Sequence, residues 1–346
     1  MKALCLLQRP AVGQLEHYLA LREVETPTPS RGELLVRVSA SSINVDDVHL
    51  AERSFFGAIG GARPTPDRPV TPGVDVAGVV EAAGPGVVGF APGDEVLGIL
   101  SHRTRHGGWG EYCCIPAANV VRKPAEYTFP EAAACALGGR TAANAVTEAA
   151  VPAGGAALVV GASGGIGSLI VQILARQGVK VTGVCSTRNT EAVQGLGAVR
   201  VIDYTHTSFD EVPDLPPMDA VIDCAGGKDV YIRARRILKK TGRFVTLVGP
   251  RRFIGDERLA VPALVGTLGQ IVYRMLVSRI SSPRYVLAGL STTMEPLEQL
   301  LLLRGIKPLV SRELDFSEDS ARVGIAHVRT HHAGGKVVLI IDRCSA

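Results

Sequence analysis

A glycine-rich turn between an apolar strand and an amphipathic helix constrains the fold of this chain most. Residues 161–167 read G-A-S-G-G-I-G, with a strand pattern over 156–162 and a helix pattern over 164–178. Glycines let the backbone approach a pyrophosphate, which the free N–H groups of the helix N-terminus stabilise. Ser163 and Ile166 replace two glycines of the G-x-G-x-x-G motif. The turn predicts a dinucleotide site; the alternative is a turn that only joins strand to helix.

Strand and helix patterns alternate after this turn. Val/Ile-rich strands separated by helices predict an α/β fold with a doubly wound parallel sheet, the Rossmann arrangement. One of these helices is expected over residues 228–240, followed by a strand over 242–249. An Ala-rich helix is expected over 128–150, before the sheet.

The chain before the Ala-rich helix has short alternating strands broken by turns, which predicts a β-rich domain. The strand pattern at 334–342 is expected to return to that domain. With 346 residues the chain is long enough for two domains. We therefore predict one domain from 1–123 with 300–346, and a second from 124–299.

Composition excludes several classes of protein. A net charge of +4 without a long Lys/Arg run does not favour a nucleic-acid partner. The apolar stretch 259–277 contains Pro262, Gln270 and Arg274, which favours a buried or interface helix over a membrane span. Seven scattered cysteines and no secretory signal are typical of a reduced, cytoplasmic protein. Cys113 and Cys114 are neighbours on a strand and would make a poor metal clamp.

The end of the next strand discriminates between cofactors. An NAD site usually has Asp or Glu there to accept from the ribose 2′-OH. Residues 184–188 instead read V-C-S-T-R. The Ser186 hydroxyl and the Arg188 guanidinium can donate to a 2′-phosphate, so we predict NADPH. The alternative for Arg188 is an exposed residue at the start of a helix.

Several segments together resemble one known superfamily: Ser41–Asp47, Pro72–Val80, Phe90–Val96, Gly107–Tyr112, Ala132–Val146 with Thr141, the glycine turn, Ser186 with Arg188, Val201–Tyr204 and Gly334–Lys336. The chain resembles the medium-chain dehydrogenase/reductases over nearly its whole length, in their zinc-free quinone oxidoreductase-like and enoyl reductase branch. Segments 181–188 and 250–290 are most similar to the mitochondrial reticulon-interacting reductase group.

The resemblance implies a GroES-like domain packed on a Rossmann domain, with the active site in the cleft between them. It implies that Asn44 and Thr141 lie near the nicotinamide and the substrate. The cofactor contacts expected with it are Ser163, Gly164, Gly165, Ile166, Ser186, Arg188, Tyr204, Gly249 and Lys336.

Zinc-dependent relatives have Cys, His and Cys where this chain has Asn44, Val74 and Leu137. Val and Leu cannot bind a metal, so no catalytic zinc is expected. The structural zinc lobe would fall near residues 97–112, which contain no cysteine.

Without zinc, we expect hydride transfer from NADPH to an enone β-carbon or a quinone. The Asn44 amide, the Thr141 hydroxyl or backbone N–H groups would stabilise the anion formed. Residues 48–56 lack the Tyr that such reductases often use as an acid, and His49 is the available replacement. Equally, His49 could bond the cofactor ribose or the backbone, and water could supply the proton.

An enoyl reductase is the first functional hypothesis, a quinone reductase the second, and a non-catalytic NADPH-binding scaffold the third. The basic loop Ser101–His106 could attract an acidic substrate or simply be solvated. Trp109 could line the substrate mouth or serve packing alone. The helix around 264–277 and the strand over 242–249 could form a homodimer interface.

Overall fold

The computed structural model describes residues 1–52, 54, 62–251, 261–278, 283–288 and 293–342. The chain divides into two compact units. The first takes Met1 to Leu137 and resumes at Lys307, and the second takes most of the chain between Gly138 and Ile306. The divisions fall at 137/138 and 306/307, which is 14 and 7 residues after the expected boundaries at 123/124 and 299/300.

The strands of the described residues are β1 (Lys2–Cys5), β2 (Ala20–Glu23), β3 (Glu33–Ile43), β4 (Asp75–Ala83), β5 (Glu95–Ile99), β6 (Tyr112–Pro116), β7 (Val120–Arg122), β8 (Ala156–Val160), β9 (Lys180–Cys185), β10 (Arg200–Asp203), β11 (Met218–Asp223), β12 (Leu238–Thr246), β13 (Arg284–Leu287), β14 (Val310–Asp315) and β15 (Lys336–Ile340). The α-helices are α1 (Leu15–Tyr18), α2 (Val45–Ala51), α3 (Phe129–Ala149), α4 (Gly167–Arg176), α5 (Thr190–Gly195), α6 (Lys228–Ile237), α7 (Val261–Val277), α8 (Glu295–Leu301) and α9 (Glu318–Arg329).

The first unit is built on a seven-stranded sheet in the order β14-β15-β3-β4-β5-β7, with β6 also paired to β3. Strand β3 is its centre, because alternate residues Leu34, Val36 and Val38 are completely buried. β15 pairs antiparallel with β3, Val337 opposite Ile43, so the C-terminal strand returns to the first unit as expected.

The second unit contains a six-stranded sheet in the order β10-β9-β8-β11-β12-β13, and every neighbouring pair is parallel. The strand order reverses between β8 and β11. In such sheets, ligands bind beyond the carboxyl ends of the strands at this reversal. The predicted α/β class, with a β-rich and a Rossmann domain, is confirmed.

The expected helix over 228–240 is too long by three residues. Helix α6 ends at Ile237, and Leu238 already pairs with Met218 of β11. The Lys239 ammonium lies 2.7 Å from the Asp219 carboxylate, which holds this segment beside the neighbouring strand. A long-range strand pair therefore ends a helix that local propensity would continue.

Helix α7 buries a charged side chain and exposes apolar ones. The Arg274 guanidinium is buried over the ring of Tyr231, 4.5 Å from its centroid. Its outer face is apolar and exposed, formed by Val265, Leu268, Val272, Tyr273, Met275 and Leu276. The helix is therefore only partly buried, and its role at an interface stays a prediction. Within the described ranges, no helix has the length and apolar character needed to cross a membrane.

Candidate active site

The glycine-rich turn has the backbone geometry that its sequence predicts. Gly161 has φ +78°, a left-handed conformation that favours glycine. A Cβ on Gly167 would lie 2.1 Å from the Gly161 carbonyl oxygen, so the start of α4 packs directly against the end of β8. The predicted contacts Gly164, Gly165 and Ile166 immediately precede this helix. The turn therefore presents backbone at a helix N-terminus, as a pyrophosphate site needs.

Two predicted hydroxyls are joined by a residue that the sequence analysis missed. The side-chain Nδ2 of Asn189 lies 3.0 Å from Ser163 Oγ and 3.3 Å from Ser186 Oγ. Asn189 ends the short 3-10 turn Thr187–Asn189 that follows β9. Arg188 is exposed in the same turn. Ser163, Ser186 and Arg188 thus lie in two adjacent loops.

Asp203, at the end of β10, anchors the neighbouring loop. Its carboxylate accepts from the hydroxyls of Thr187 and Thr205 and contacts His206. Hydrogen bonds from these hydroxyls hold the pKa of Asp203 well below its usual range. The backbone N–H of Tyr204 donates to the carbonyl of Cys185, the last residue of β9. The Tyr204 side chain is exposed.

The carboxyl ends of β11 and β12 are held by a buried pair that the sequence analysis also missed. Asp223 Oδ2 accepts from the Thr246 hydroxyl at 2.9 Å, and Asp223 Oδ1 accepts from the Gly226 N–H at 2.8 Å. The Thr246 hydroxyl in turn accepts from the N–H of Gly249, which has φ +92°. The predicted contact Gly249 therefore lies in a turn whose backbone position is fixed.

Four polar side chains meet inside the first unit, where the end of β3 lies beside the starts of β4 and β15. The Lys336 ammonium donates to Asn44 Oδ1 and to Asp75 Oδ2. The Asn44 amide nitrogen donates to Asp75 Oδ2 at 2.9 Å and to Asp47 Oδ2 at 3.0 Å. Asp47, Asp75 and Lys336 are all buried.

This network changes the role expected for Asn44. An amide nitrogen carries two hydrogens, and both are directed at carboxylates here. The hypothesis that the Asn44 amide donates to the reduced substrate therefore does not fit this arrangement. Lys336, expected as a cofactor contact, is 7% exposed and is paired with Asp75.

The three positions that correspond to zinc ligands converge on the same two aspartates. The backbone N–H of Val74 donates to Asp47 Oδ1 at 3.0 Å, and that of Leu137 donates to Asp75 Oδ1 at 2.8 Å. Asn44 contacts both carboxylates through its side chain. Across the described ranges, no cluster of three or more His, Cys, Asp or Glu side chains could hold a metal ion.

Burial, with a smaller contribution from the nearby Asp75 carboxylate, raises the pKa of Asp47 to about 7. Hydrogen bonds from Asn44 and the charge of Lys336 oppose this shift. Asp47 also accepts from the Asn44 backbone N–H, in the capping box that begins α2. Its protonation is therefore coupled to the position of Asn44.

The remaining predicted catalytic residues lie in different units. His49 is buried in α2, close in sequence to Asn44, and its carbonyl accepts from the Ser54 hydroxyl. Thr141 is half-buried in α3 and belongs to the second unit, with the predicted cofactor residues other than Lys336. The first unit holds Asn44, His49 and Lys336.

The basic loop Ser101–His106 is not helical, so His102 and His106 do not share a helix face. The Thr71 N–H donates to the Arg105 carbonyl, and burial lowers the pKa of His106. Trp109 is completely buried, and its indole Nε1 donates to the Ser42 carbonyl at 3.3 Å. Of the two interpretations of Trp109, packing is the one that the structure supports.

Residues 30–125 match the alcohol dehydrogenase GroES-like domain, and residues 196–339 match the zinc-binding dehydrogenase family. The chain is 31% identical over 334 residues to NAD(P)H oxidoreductase RTN4IP1, mitochondrial, of Mus musculus, covering 89% of this chain and 81% of the relative. It is 28% identical to 2-methylene-furan-3-one reductase of Solanum lycopersicum, covering 91% and 74%.

Solved structures give the same picture. The quinone oxidoreductase from Coxiella burnetii aligns with a TM-score of 0.80 at 27% identity, over 99% of both chains. An NAD-dependent alcohol dehydrogenase aligns with a TM-score of 0.78 at 25% identity, over 99% of this chain and 100% of the other.

Proposed function

Since the chain belongs to the medium-chain dehydrogenase/reductase superfamily, in its quinone oxidoreductase-like group, and is an NAD(P)H-dependent oxidoreductase, we propose that it uses NADPH to reduce a conjugated carbonyl without zinc. The observation that carries this proposal is the contact of the Asn189 side chain with two serine hydroxyls, Ser163 after β8 and Ser186 after β9. Arg188 lies next to Asn189 in the turn after β9.

NADPH is favoured over NADH by the chemistry of that loop. No carboxylate follows β9 directly, where an NAD site usually has one for the ribose 2′-OH. Two hydroxyls and a guanidinium would instead donate to a 2′-phosphate. Glu191 is the nearest acid in sequence and is exposed on helix α5. Asp203 ends the neighbouring strand β10, and its oxygens already accept from Thr187 and Thr205.

The substrate proposal combines the relatives with the polar groups of the chain. The curated relatives include a furanone reductase and an NADPH-dependent alkenal/one oxidoreductase. The bound nicotinamide would supply a hydride to an electron-poor carbon. The Thr141 hydroxyl or backbone N–H groups would stabilise the resulting enolate, while Asn44 acts through its contacts with Asp47 and Asp75.

The absence of a catalytic zinc is proposed from the groups at the three ligand positions. Val74 and Leu137 offer only hydrocarbon side chains. Asn44 Oδ1 accepts from the Lys336 ammonium, a cation that would repel a metal at the same oxygen. These residues do not fit a zinc ion, although the family description includes zinc-binding members.

Quinone reduction is the second candidate. It is favoured by the alignment with the Coxiella burnetii quinone oxidoreductase and by 36% identity to a chloroplastic quinone-oxidoreductase homologue of Spinacia oleracea. The same hydride donor and anion-stabilising groups would serve a quinone ring. The third candidate is a non-catalytic scaffold, which would bind NADPH but reduce neither conjugated carbonyls nor quinones.

A homodimer and a cytoplasmic location are further parts of the proposal. The exposed apolar face of α7 supports a homodimer, because a second copy would remove it from water. The cysteines of the described residues are all free, which supports a reducing compartment.

The cofactor proposal is tested by titrating the protein with NADPH and NADH while following nicotinamide fluorescence. We expect tighter binding of NADPH in the wild type and a loss of that preference in Arg188→Ala. Arg200→Ala removes the same charge at the amino end of β10 and is the matched control. Equal binding of both cofactors in the wild type would contradict NADPH specificity.

The reaction is tested by NADPH oxidation with enones, enoyl thioesters and quinones, together with metal analysis of the purified protein. Turnover of enones by metal-free protein supports the proposal. Turnover of quinones alone favours the second candidate. Binding of NADPH without turnover of any class supports the scaffold, and activity that requires zinc contradicts the proposed mechanism.

A further inference from the structure

The contact of Asn189 with two serines has a definite polarity. Its Nδ2 donates to both hydroxyls, at 3.0 Å from Ser163 Oγ and 3.3 Å from Ser186 Oγ. An amide nitrogen carries two hydrogens and accepts none. Each serine oxygen therefore accepts one hydrogen from Asn189.

Accepting this bond determines what the two hydroxyls can still do. A serine hydroxyl has one hydrogen and two acceptor lone pairs. When one lone pair is used by Asn189, the hydrogen remains for another acceptor. Ser163 and Ser186 can therefore present two O–H donors together, one from the loop after β8 and one from the turn after β9.

The surroundings indicate which acceptor these donors suit. Arg188, next to Asn189, adds an exposed guanidinium in the same turn. The Asn189 backbone N–H donates to the Ser186 carbonyl at 2.9 Å, which fixes the turn that carries the amide. Two hydroxyl donors beside a guanidinium match a phosphate monoester, whose several oxygens all accept.

We propose that Asn189 is a positioning residue for cofactor selection: it orients the Ser163 and Ser186 hydroxyls so that both donate to the 2′-phosphate of NADPH. This inference rests on the proposed use of NADPH and adds the residue that sets the polarity of its site. Asn189 acts through the two serines and not by touching the reacting atoms.

The proposal predicts opposite behaviour for an amide and a carboxylate at this position. In Asn189→Asp the serine hydroxyls would donate to the new carboxylate, so their hydrogens would be withdrawn from the cofactor. The added negative charge would also repel a 2′-phosphate. NADH carries no 2′-phosphate, so its binding provides an internal control.

The experiment is calorimetric titration of wild type, Asn189→Asp and Asn189→Ala with NADPH, NADH, 2′,5′-ADP and 5′-AMP. We expect Asn189→Asp to weaken NADPH and 2′,5′-ADP binding by about tenfold or more. Asn189→Ala should weaken both by a smaller factor. Binding of NADH and 5′-AMP should change by less than about twofold in both variants. Gln194→Glu, which adds the same charge on an exposed residue of α5, should leave all four ligands unchanged.

The outcomes separate this inference from the function on which it rests. If the wild type binds NADPH and NADH equally, the cofactor proposal fails. If the wild type prefers NADPH and both Asn189 variants keep the full preference, the positioning role is wrong. If the variants lose NADH and NADPH binding equally, Asn189 only supports the fold of the loop, and the inference is overturned.

Discussion

Among single residues, Asp47 has the environment that most alters its chemistry. Its carboxyl is buried beside Asp75, and it accepts from the N–H groups of Asn44 and Val74. Lys336 supplies one positive charge to a cluster with two carboxyl groups. If the two carboxyl groups share one proton, the single negative charge that remains balances the charge of Lys336. This is consistent with the raised pKa of Asp47.

The raised pKa of Asp47 predicts a pH-dependent stability. Burial raises this pKa to about 7, whereas the unfolded chain would have a value of about 4. The native state therefore holds a proton that the unfolded state has released. This contribution to stability is complete below about pH 4 and is lost as the pH rises through about 7. Urea unfolding of wild type and Asp47→Asn measures it.

We expect the free energy of unfolding of the wild type to fall relative to Asp47→Asn by about 2 kcal/mol between pH 5 and pH 8. The variant also loses an acceptor for Asn44 or Val74, but that loss does not depend on pH. A difference between the two proteins that stays constant over this range would show that Asp47 is charged throughout.

Sequence reasoning at this scale found the groups that could meet a cofactor but missed those that orient them. Ser186 and Arg188 were predictable, because a strand end without an acid is visible in the sequence. Asn189 and Asp223 were not, since Ser163 and Thr246 are distant from them in sequence and become their neighbours only through the parallel sheet. The same limit explains Asn44, because one of its two amide hydrogens is directed at Asp75, which is 31 residues away in the sequence.

At the scale of elements, the β8–turn–α4 unit is the part most completely determined by local sequence. Its strand and helix lie within the predicted ranges, although β8 ends at Val160 and α4 covers only Gly167–Arg176 of the helix expected over 164–178. The end of α6 was mispredicted because Leu238 joins β12 through a partner twenty residues away on β11. Local patterns predicted the elements, and long-range pairing decided where one of them ends.

The close approach of β8 and α4 predicts the effect of one methyl group. In Gly167→Ala the Cβ would lie 2.1 Å from the Gly161 carbonyl oxygen. We expect the free energy of unfolding to fall by about 1–3 kcal/mol. NADPH and NADH should both bind more weakly and by similar factors, because the pyrophosphate site proposed at this turn would be common to both cofactors.

Gly266→Ala is the matched control for urea unfolding and cofactor titration. A Cβ at this helical position in α7 would meet no heavy atom within 4 Å. We expect it to raise the stability by about 0.5–1 kcal/mol and to leave cofactor binding unchanged. Equal effects of the two substitutions would contradict a specific close approach at Gly167.

For the whole molecule, the outer face of α7 is the feature that a monomer explains least. Six exposed apolar side chains lie on this one 17-residue helix, and Tyr273 alone is 66% exposed. Contiguous apolar surface of this kind usually marks an interaction site. The sequence showed the apolar run but not which side of the helix would be exposed.

The proposed homodimer predicts that charges on this face separate the subunits. Leu268→Glu combined with Val272→Glu should convert a dimer into a 36.4 kDa monomer, measured by light scattering after size-exclusion chromatography. Val88→Glu places the same charge on an isolated exposed residue and should leave the mass unchanged. A wild type that is already monomeric would remove the dimer from the proposal.

The hydrogen bonds of Val74 and Leu137 to the buried aspartates come from the main chain, which makes those two contacts independent of side-chain identity. Mutation can therefore replace either side chain while its backbone N–H stays in place. A lineage with this architecture can exchange a metal-binding pair for an aliphatic pair at these positions, or reverse the exchange, without changing the backbone of α3 or of the segment before β4. Metal dependence would then be a readily interchangeable character in the evolution of this scaffold.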